Sequence, residues 1–580
     1  MSYSGGLAEL PLHILYIICS FSPKASIIQL RLTSLALKTA ATPWAFRHVQ
    51  LEFFGKDFKR FVSIAKSPSL RPWVQEISCD TWMVTHPRRG TDSWHNCAEG
   101  FLHALSYLRY FRRVRALHLR FDAHSGSSTR NTWSSIIEET WDFRFHVLDT
   151  VFQCLAGTWS RDILERAGYG STYDFEDVDT KPDNDWDTLK AQPICLKMLT
   201  IANLAAYDDQ RLANSEAFRK VLSSPTLTDL KLYISPENDI TKPGVSFRYP
   251  EPYEFFAALP DTWLAPSLAQ NLRVLSLYSR NPWGWCPKMD FRTVNPGKGV
   301  NSGFPLLKVL ALGNYTFSHE WQIEWIASLG QQNEAGGLEE LYLDDCPILY
   351  TACQVAPIDN GETILGHDED GKELSISNHG YPIKEVITQP HVYGDPQLQT
   401  QQYPLRWYMV LQHWKDAMKG LRVFRMGHGE WQRVSVDTFR ACAGQFSKPL
   451  RDKDKFVLTH LLTDKEFRSF GCPGPTEPAG PAPADDFVDL VDWNADEVLA
   501  VEGDPKYQHG TGLRQERIDL MRYFQHSCGT WTESQRDENS FFDDREVWAP
   551  EEETIAKDTA AYNMLVSAVQ LRHGPEDKLV

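Results

Sequence analysis

Residues 338–348 read LEELYLDDCPI, in which leucines are separated first by two residues and then by one. In an extended segment alternate side chains share a face, so Leu341 and Leu343 are expected to point into one core. Leu338 would pack at the turn that leads into the strand. The pattern therefore predicts a short strand that is buried on one face.

The same LxxLxL spacing recurs along most of the chain. The central positions of its copies are Ile77, Leu117, Leu199, Leu230, Leu275, Leu310, Leu341 and Phe424. Consecutive central positions lie between 31 and 83 residues apart, whereas regular leucine-rich repeats span roughly 20–29 residues. The two widest gaps are each expected to hold a further, degenerate copy. Parallel stacking of such strands would bury an apolar layer that no single copy could bury alone.

The copy at 338–348 resembles a leucine-rich repeat through its cysteine and its terminal apolar residue. This resemblance implies an α/β fold, an irregular solenoid with parallel strands on the concave side and helices outside. Amphipathic segments between the copies predict those helices at Phe101–Phe111, Glu216–Leu222, Trp321–Leu329 and Trp407–Met418. A conventional α/β domain with leucine-rich buried strands is the alternative, because a doubly wound sheet also alternates strands and helices.

A second informative stretch, residues 10–51, reads LPLHILYIICSFSPKASIIQLRLTSLALKTAATPWAFRHVQL. Two groups of its apolar residues recur at helical spacing, namely Ile14, Ile17, Ile18 and Phe21, then Leu30, Leu32, Leu35 and Leu37. Three short helices in about forty residues cannot bury all of their apolar surface. Either a partner protein or the rest of the chain must therefore cover the remainder.

This stretch resembles an F-box in the form common among fungal proteins. The matching residues are Leu10, Pro11, Ile14, Ile17 and Ile18, then Pro23-Lys24, Leu30-Arg31-Leu32 and Ser34, with 43–51 as the exit into a first strand. The resemblance implies docking on the adaptor protein of a cullin–RING ubiquitin ligase complex. It assigns the F-box core and the adaptor contact jointly to Leu10, Pro11, Ile14, Ile17, Ile18, Leu30 and Leu32. An ordinary helical cap on a larger domain is the alternative.

Together the two resemblances imply a substrate-recognition subunit of an SCF-type ubiquitin ligase, whose repeat domain holds an unknown protein substrate. Such a subunit contributes no catalytic group, because tethering alone raises the effective concentration of substrate lysines. Side chains between the leucines are expected to be exposed, and the candidates for substrate binding are Arg120, Tyr233, Tyr278, Tyr342, Asp344 and Arg425. A leucine-rich interaction scaffold outside any ligase is the first alternative, and an α/β enzyme or ligand-binding protein is the second.

The predicted domain organisation follows from these patterns and from shifts in composition. The F-box would span 7–51 and the solenoid 52–471, with inserts at about 168–192, 279–305 and 349–403. The first two inserts are expected to be loops. A Pro/Gly/Ala-rich linker at 472–486 precedes an acidic C-terminal tail with helical segments at 487–580. A terminal helix is predicted from Glu551 to Leu571, and the pattern leaves open whether this tail packs on the solenoid.

Charge and composition limit the classes of function. The formal net charge is −17, and residues 473–580 carry 23 Asp+Glu against 9 Lys+Arg. No basic stripe supports nucleic-acid binding, and no apolar run reaches the roughly 18 residues of a membrane span. Eleven cysteines without a CxxC pair indicate reduced thiols, and hence a cytoplasmic or nuclear protein. The common catalytic and phosphate-binding motifs are missing from the sequence, so no enzyme activity, cofactor or metal is expected.

Overall fold

The fold was analysed in a computed structural model of the 580-residue chain. The described residues are 7–22, 24–53, 57–81, 91–121, 125–126, 139–160, 162–163, 168, 192–235, 251–285, 287–296, 303–344, 346–355, 363–367, 373–376, 385–387, 398–427, 523–528, 547–548 and 550–572. The predicted linker at 472–486 lies outside them, as does the predicted loop at 168–192 apart from its two end residues.

Strands and helices alternate along much of the chain. The strands are β1 (His48–Glu52), β2 (Glu76–Asp80), β3 (Ala116–Arg120), β4 (Met198–Ala205), β5 (Asp229–Ser235), β6 (Val274–Trp283), β7 (Val309–Tyr315), β8 (Glu340–Asp344), β9 (Ile348–Val355), β10 (Thr363–His367), β11 (Glu373–Ile376), β12 (Glu385–Ile387), β13 (Leu398–Gln402), β14 (Val423–Gly427), β15 (Tyr523–Cys528) and β16 (Val547–Trp548). The α-helices are α1 (Leu12–Ser20), α2 (Lys24–Leu30), α3 (Leu35–Ala45), α4 (Asp57–Lys66), α5 (Thr91–Leu105), α6 (Trp141–Ala156), α7 (Gln210–Ala213), α8 (Glu216–Leu222), α9 (Glu251–Ala258), α10 (Pro266–Ala269), α11 (Glu320–Ser328), α12 (Trp407–Ala417) and α13 (Glu552–Arg572).

Nine strands form one parallel sheet in the order β1-β2-β3-β4-β5-β6-β7-β8-β14. Each pair of neighbours in this order runs in the same direction. Parallel neighbours need a crossover connection, and helices supply several of these crossovers. The predicted α/β class is therefore confirmed, with a large parallel sheet at its centre.

The leucine pattern coincides with the register of this sheet. Ile77 pairs with Leu117, Leu117 with Leu199, Leu199 with Leu230, Leu230 with Leu275, Leu275 with Leu310, Leu310 with Leu341, and Leu341 with Phe424. All eight predicted central positions thus form one row across the sheet, and Val49 of β1 extends it. The row is buried throughout, and each leucine in it contributes about 1.5–3 kcal/mol by leaving water.

Among the residues that the structure describes, the two widest gaps between copies hold no further strand of this sheet, contrary to the prediction. β3 pairs directly with β4, and β8 pairs directly with β14, so no strand separates either pair. In the first gap, between β3 and β4, the chain leaves the sheet and forms α6. In the second gap it builds β9 to β13, which belong to other sheets. The spacing is wide because these excursions are long.

Helices cover one face of the sheet and share a core with it. One buried cluster contains the leucine row and large side chains from five helices, namely Phe61, Phe101, Val151, Phe218 and Trp414. The Thr140 hydroxyl caps α6 by accepting a 3.2 Å hydrogen bond from the Phe143 N–H. The helix ends at Gly157, whose φ of 72° is left-handed and where a Cβ would lie 2.8 Å from the Gln192 carbonyl carbon.

The four predicted helices are all present. α8 has the predicted bounds, α11 is displaced by one residue at both ends, and α12 ends one residue earlier than predicted. The helix predicted at Phe101–Phe111 begins earlier, as α5, and continues as a 3₁₀ turn over Ser106–Tyr110. The predicted terminal helix is α13.

The insert predicted as a loop at 279–305 is partly built into the core, which corrects that prediction. β6 continues to Trp283, whose ring stacks on Phe256 with centroids 5.2 Å apart. The Trp283 indole N–H donates a 2.8 Å hydrogen bond to the Gly313 carbonyl. Aromatic residues hold this segment in place because they bury large areas while satisfying their single polar atom.

The C-terminal region packs on the rest of the protein through two elements. β15 pairs in parallel with β9, within a second sheet of order β12-β13-β9-β15-β16. α13 contributes Ala561, Tyr562, Leu565 and Val569 to the same buried cluster as the leucine row. Arg572 at its end donates hydrogen bonds to the carbonyl oxygens of residues 415, 418 and 421. The question that the sequence left open is therefore settled for these two elements.

Candidate functional site

Helices α1, α2 and α3 form a small unit with its own core, here called the helical block. Its buried side chains are Leu15, Cys19, Ile27, Leu37, Ala40, Ala41 and Ala45. The Ser34 hydroxyl caps α3 by accepting a hydrogen bond from the Leu37 N–H at 3.2 Å. The small alanines let α3 approach the two preceding helices closely.

The seven residues assigned jointly to the core and the adaptor contact are not among the buried side chains of this block, although Leu30 packs against them. Leu10 is 39% exposed, Ile17 is 52% exposed and Leu32 is 78% exposed, and Pro11 is exposed as well. The other three, Ile14, Ile18 and Leu30, are half-buried. The buried core is therefore made mainly by other residues, with Leu30 at its edge.

The physical reason for this difference is the rotational phase of the helices. Leu15 and Cys19 are four residues apart and share the inward stripe of α1. The stripe that carries Ile14, Ile17 and Ile18 is turned away by about one residue, or 100°. The spacing of apolar residues was helical on both stripes, so the sequence did not distinguish the inward stripe from the outward one.

The helical block leaves further apolar side chains in water. Phe21 is 86% exposed and Leu35 is 80% exposed, and Leu7, Leu12 and Ile28 are each more than a third exposed. Ile17 and Phe21 lie four residues apart, so they are neighbours on one side of α1. Such a concentration of exposed apolar residues on one small unit is typical of a contact surface.

The block is attached to the body of the protein through its end and its middle helix. Lys24 of α2 donates a 3.0 Å hydrogen bond from Nζ to the carbonyl of His48 in β1. Phe46, which follows α3, packs against both the core of the block and the core of the sheet. The guanidinium of Arg31 lies 4.5 Å above the Phe46 ring. The exposed apolar residues are thus held on a firmly attached unit.

The six residues predicted to bind substrate all lie on the sheet face opposite the helices, here called the second face. Tyr233 pairs with Tyr278, Tyr278 with Gly313, and Gly313 with Asp344. Arg120 lies one residue after Leu119 on β3, where it pairs with Ala202. Tyr342 and Arg425 pair with each other. The period-two reading of the strands therefore placed these six side chains on a common face.

The expected exposure of these residues is wrong for five of the six. Arg120, Tyr278 and Asp344 are at most 1% exposed, and Tyr233 and Tyr342 are also buried, whereas Arg425 is half-buried. The three tyrosines form a second apolar cluster, with Ala202, Val274, Val309 and Ala311. Large rings cover the small side chains of adjacent strands, which is why alternation along a strand did not mean exposure.

A network of buried charges joins the carboxyl ends of the first strands. Arg120 forms an ion pair with Asp80 on the neighbouring strand, with Nε 2.8 Å from a carboxylate oxygen. Arg144 of α6 donates to Glu139 at 2.6 Å and to the carbonyl of Asn203 at 2.7 Å. Each of these buried charges has a partner of opposite sign, so the network orders strand ends without presenting a reactive group.

Nothing in the described ranges points to a metal centre, because they contain no group of three or more His, Cys, Asp or Glu residues arranged to hold an ion. Six of the cysteines in the described ranges are free thiols, namely Cys19, Cys79, Cys97, Cys154, Cys195 and Cys346. Burial raises the pKa of Cys154 to about 12 and raises that of Cys79 further, so both are uncharged and poor nucleophiles at neutral pH. Within the part of the chain that the structure describes, no helix is both long and apolar enough to cross a bilayer.

The comparisons with known proteins add no family. No protein-family model matches the chain, and no curated protein is significantly similar to it. Evidence for its function therefore comes from the helical block and from the parallel sheet.

Proposed function

We propose that this chain is the substrate-recognition subunit of a cullin–RING, SCF-type ubiquitin ligase. The helical block would dock on the adaptor protein, and the body would hold the protein substrate. The observation that carries the proposal is the set of apolar side chains that the helical block leaves in water. Phe21, Leu35 and Leu32 are 86%, 80% and 78% exposed.

These side chains have no structural task inside the block, because its core is built from other residues. Covering apolar surface is favourable by about 25 cal/mol per Å², so a partner that packs on them would gain affinity. The resemblance of residues 10–51 to an F-box names the kind of partner, the ligase adaptor. Leu10, Pro11, Ile17 and Leu32 are assigned to that contact, with half-buried Ile14, Ile18 and Leu30 at its margin.

The sheet supports the second part of the proposal, an irregular leucine-rich solenoid. Successive strands are parallel neighbours, their central apolar residues form one row, and helices lie on one face. These are features that a solenoid of leucine-rich repeats would have. An elongated body of this kind offers a large surface for a protein substrate.

The mechanism that follows is positional. The ligase would bring a charged ubiquitin-conjugating enzyme close to the bound substrate, which raises the effective concentration of substrate lysines near the thioester. The chain would supply two binding surfaces and no reacting group. Phe46 and Lys24 attach the helical block rigidly to the body. This attachment would fix the distance between the adaptor contact and the substrate-binding surface.

The test is a pull-down of the purified full-length chain with the ligase adaptor. Ile17→Asp and Leu35→Asp should each reduce adaptor binding at least about tenfold, because a charge is then placed in an apolar contact. Ile555→Asp is the matched control, since Ile555 is 47% exposed, close to the 52% of Ile17, but lies on α13. Circular dichroism of each variant shows whether it has folded.

Adaptor binding that survives both substitutions would contradict the proposed contact. If the native chain does not bind the adaptor at micromolar concentration, the ligase role is excluded. The protein would then be a leucine-rich interaction scaffold, and the helical block would be a contact for another partner.

A further inference from the structure

A cleft lies between the outer helices, where α6, α7, α8 and α9 meet beyond the carboxyl ends of β3 and β4. The space inside it that admits water is about 40 Å³, and its wider mouth is open to solvent. Six buried apolar residues form its floor, namely Phe121, Leu148, Leu204, Phe218, Phe255 and Trp263. None of the residues predicted from sequence to bind a partner lines this cleft.

The rim of the cleft is aromatic and partly open to solvent. The rings of Trp141 and Tyr207 stack with centroids 4.1 Å apart and an interplanar angle of 8°, and both residues are half-buried. The guanidinium of Arg211 lies 4.1 Å from the centre of the Phe145 ring. The rim therefore already holds one cation against an aromatic face, and its other rings offer the same kind of contact.

The charged groups at the cleft are more negative than positive, because Arg144, which also lines it, is already paired with Glu139. Arg211 serves two carboxylates, because it bonds Asp209 at 2.7 Å and Asp142 at 2.6 Å. The third carboxylate, Asp208, accepts a hydrogen bond from the Gln210 amide and has no cationic partner among the described residues. Burial raises the pKa of Asp208, the hydrogen bond from Gln210 opposes the rise, and the neighbouring Asp209 adds to it. The attraction of a cation brought to Asp208 would offset the cost of this desolvation.

We propose that this cleft binds a peptide segment in which a bulky apolar side chain is flanked by lysine or arginine. The apolar side chain would rest on the floor made by residues such as Phe218 and Trp263. The flanking cation would meet the Asp208 carboxylate beside the stacked rings of Trp141 and Tyr207. An acidic, aromatic rim above an apolar floor requires both properties in one ligand, and adjacent residues of a peptide supply them.

This inference goes beyond the proposed function, because the cleft would bind its peptide whether or not the adaptor docks on the helical block. The cleft lies on the helix-covered side of the sheet, whereas the predicted substrate-binding residues lie on the second face, where five of six are buried. It therefore offers the body an accessible recognition site that the leucine pattern did not indicate.

The experiment uses fluorescence anisotropy with the full-length chain and three labelled peptides. The probe is Gly-Ser-Lys-Phe-Lys-Ser-Gly. One control peptide replaces both lysines by glutamate, and the other replaces the phenylalanine by serine. The probe should bind at least about tenfold more tightly than either control, because each control removes one of the two required contacts. Equal binding of the glutamate peptide would overturn the proposal.

Two variants locate the binding. Asp208→Asn should weaken probe binding about fivefold, as expected for loss of a half-buried charge pair, and Ala213→Phe should abolish it by filling the mouth of the cleft. Glu324→Gln is the matched control, an exposed acid on α11 far from the cleft. Probe binding unchanged in Asp208→Asn would overturn the site, and this conservative variant decides even if Ala213→Phe fails to fold.

Adaptor binding by the same proteins separates the two proposals. Asp208→Asn should retain adaptor binding in full, whereas Ile17→Asp should lose adaptor binding and retain the probe peptide. If the chain binds the probe peptide but not the adaptor, the ligase role is excluded and the peptide-binding role of the cleft stands.

Discussion

The phenol of Tyr523 donates a 2.7 Å hydrogen bond to the carboxylate of Asp558. Asp558 also accepts from the Tyr408 N–H at 2.8 Å, and the Tyr523 oxygen accepts from the Trp407 N–H at 2.8 Å. These N–H groups belong to the first two residues of α12, and its N-cap residue, Arg406, makes no side-chain capping hydrogen bond. Two residues more than a hundred positions further along the chain therefore satisfy the first turn of α12. β15 and α13 are therefore integral parts of the packed fold.

Replacing Asp558 should destabilise the protein measurably. Asp558→Ala would leave the Tyr408 N–H and the Tyr523 hydroxyl without their acceptor, at a cost of about 1–3 kcal/mol in the free energy of unfolding. Urea unfolding followed by circular dichroism measures this change. Glu553→Ala is the control on the same helix, because Glu553 pairs only with Lys557 in solvent and its loss should not change the midpoint. Equal midpoints for native and Asp558→Ala proteins would show that the carboxylate does not hold α13.

The same carboxylate should give a measurable pH dependence. Burial raises the pKa of Asp558 above its ordinary value of 3.8, although the hydrogen bond from Tyr523 opposes the rise. The folded protein therefore holds this proton more tightly than the unfolded chain does. Its stabilising contribution is complete below pH 3.8 and is lost as the pH rises through the folded pKa.

Asp558→Asn removes this titration while keeping the shape of the side chain. The free energy of unfolding of the native protein, minus that of the variant, should therefore fall as the pH rises from about 4 towards about 7. Urea unfolding of both proteins at a series of pH values measures this difference, and other titrating groups cancel in the subtraction. A difference that stays constant across the series would mean that the Asp558 pKa is not raised.

Gly313 is required by the ring of Tyr278 on the adjacent strand. A Cβ at Gly313 would overlap that ring, so Gly313→Ala should lower the free energy of unfolding by about 1–3 kcal/mol. Gly337→Ala is the control, because the nearest atom to its Cβ would be 3.9 Å away. Adding Tyr278→Ala should make Gly313→Ala nearly neutral. Two additive losses in this double-mutant cycle would show that the ring and the glycine are not coupled.

The register of the parallel sheet could be predicted from the sequence because it depends on a local pattern. Each LxxLxL copy contains its own strand and its own buried positions, and identical copies can only share a core if those positions align. Leu230, Leu275 and Leu310 accordingly pair in series. The extra copies expected in the two widest gaps were wrong, since gap length says nothing about whether a chain returns to the sheet.

Burial on the second face could not be predicted from any one strand. Whether Tyr278 is exposed depends on the residue beside it on the next strand, and that residue is Gly313, 35 positions further along the chain. The cleft was missed for the same reason. Trp141 and Tyr207 stack at its rim. Trp141 begins α6 and Tyr207 follows β4, and neither position belongs to an LxxLxL copy.

Leu15 and Ile17 of α1 provide the sharpest test of which side chains hold the helical block together. Leu15 is 2% exposed and packs in the block core, whereas Ile17 is 52% exposed. Leu15→Ala should therefore destabilise the block by about 2–5 kcal/mol through a buried cavity. Ile17→Asp should change its stability by less than about 0.5 kcal/mol, even though it is the more drastic chemical change.

Hydrogen–deuterium exchange of peptides that cover residues 12–45 measures this contrast without depending on the larger body. Amides in α1 to α3 should exchange much faster in Leu15→Ala and at the native rate in Ile17→Asp, because exchange from a stable helix follows its local unfolding free energy. Peptides from β6 and β7 serve as the internal control and should not change. Faster exchange throughout the block in Ile17→Asp would assign Ile17 to the core. The loss of adaptor binding expected for that variant would then reflect unfolding and not a lost contact.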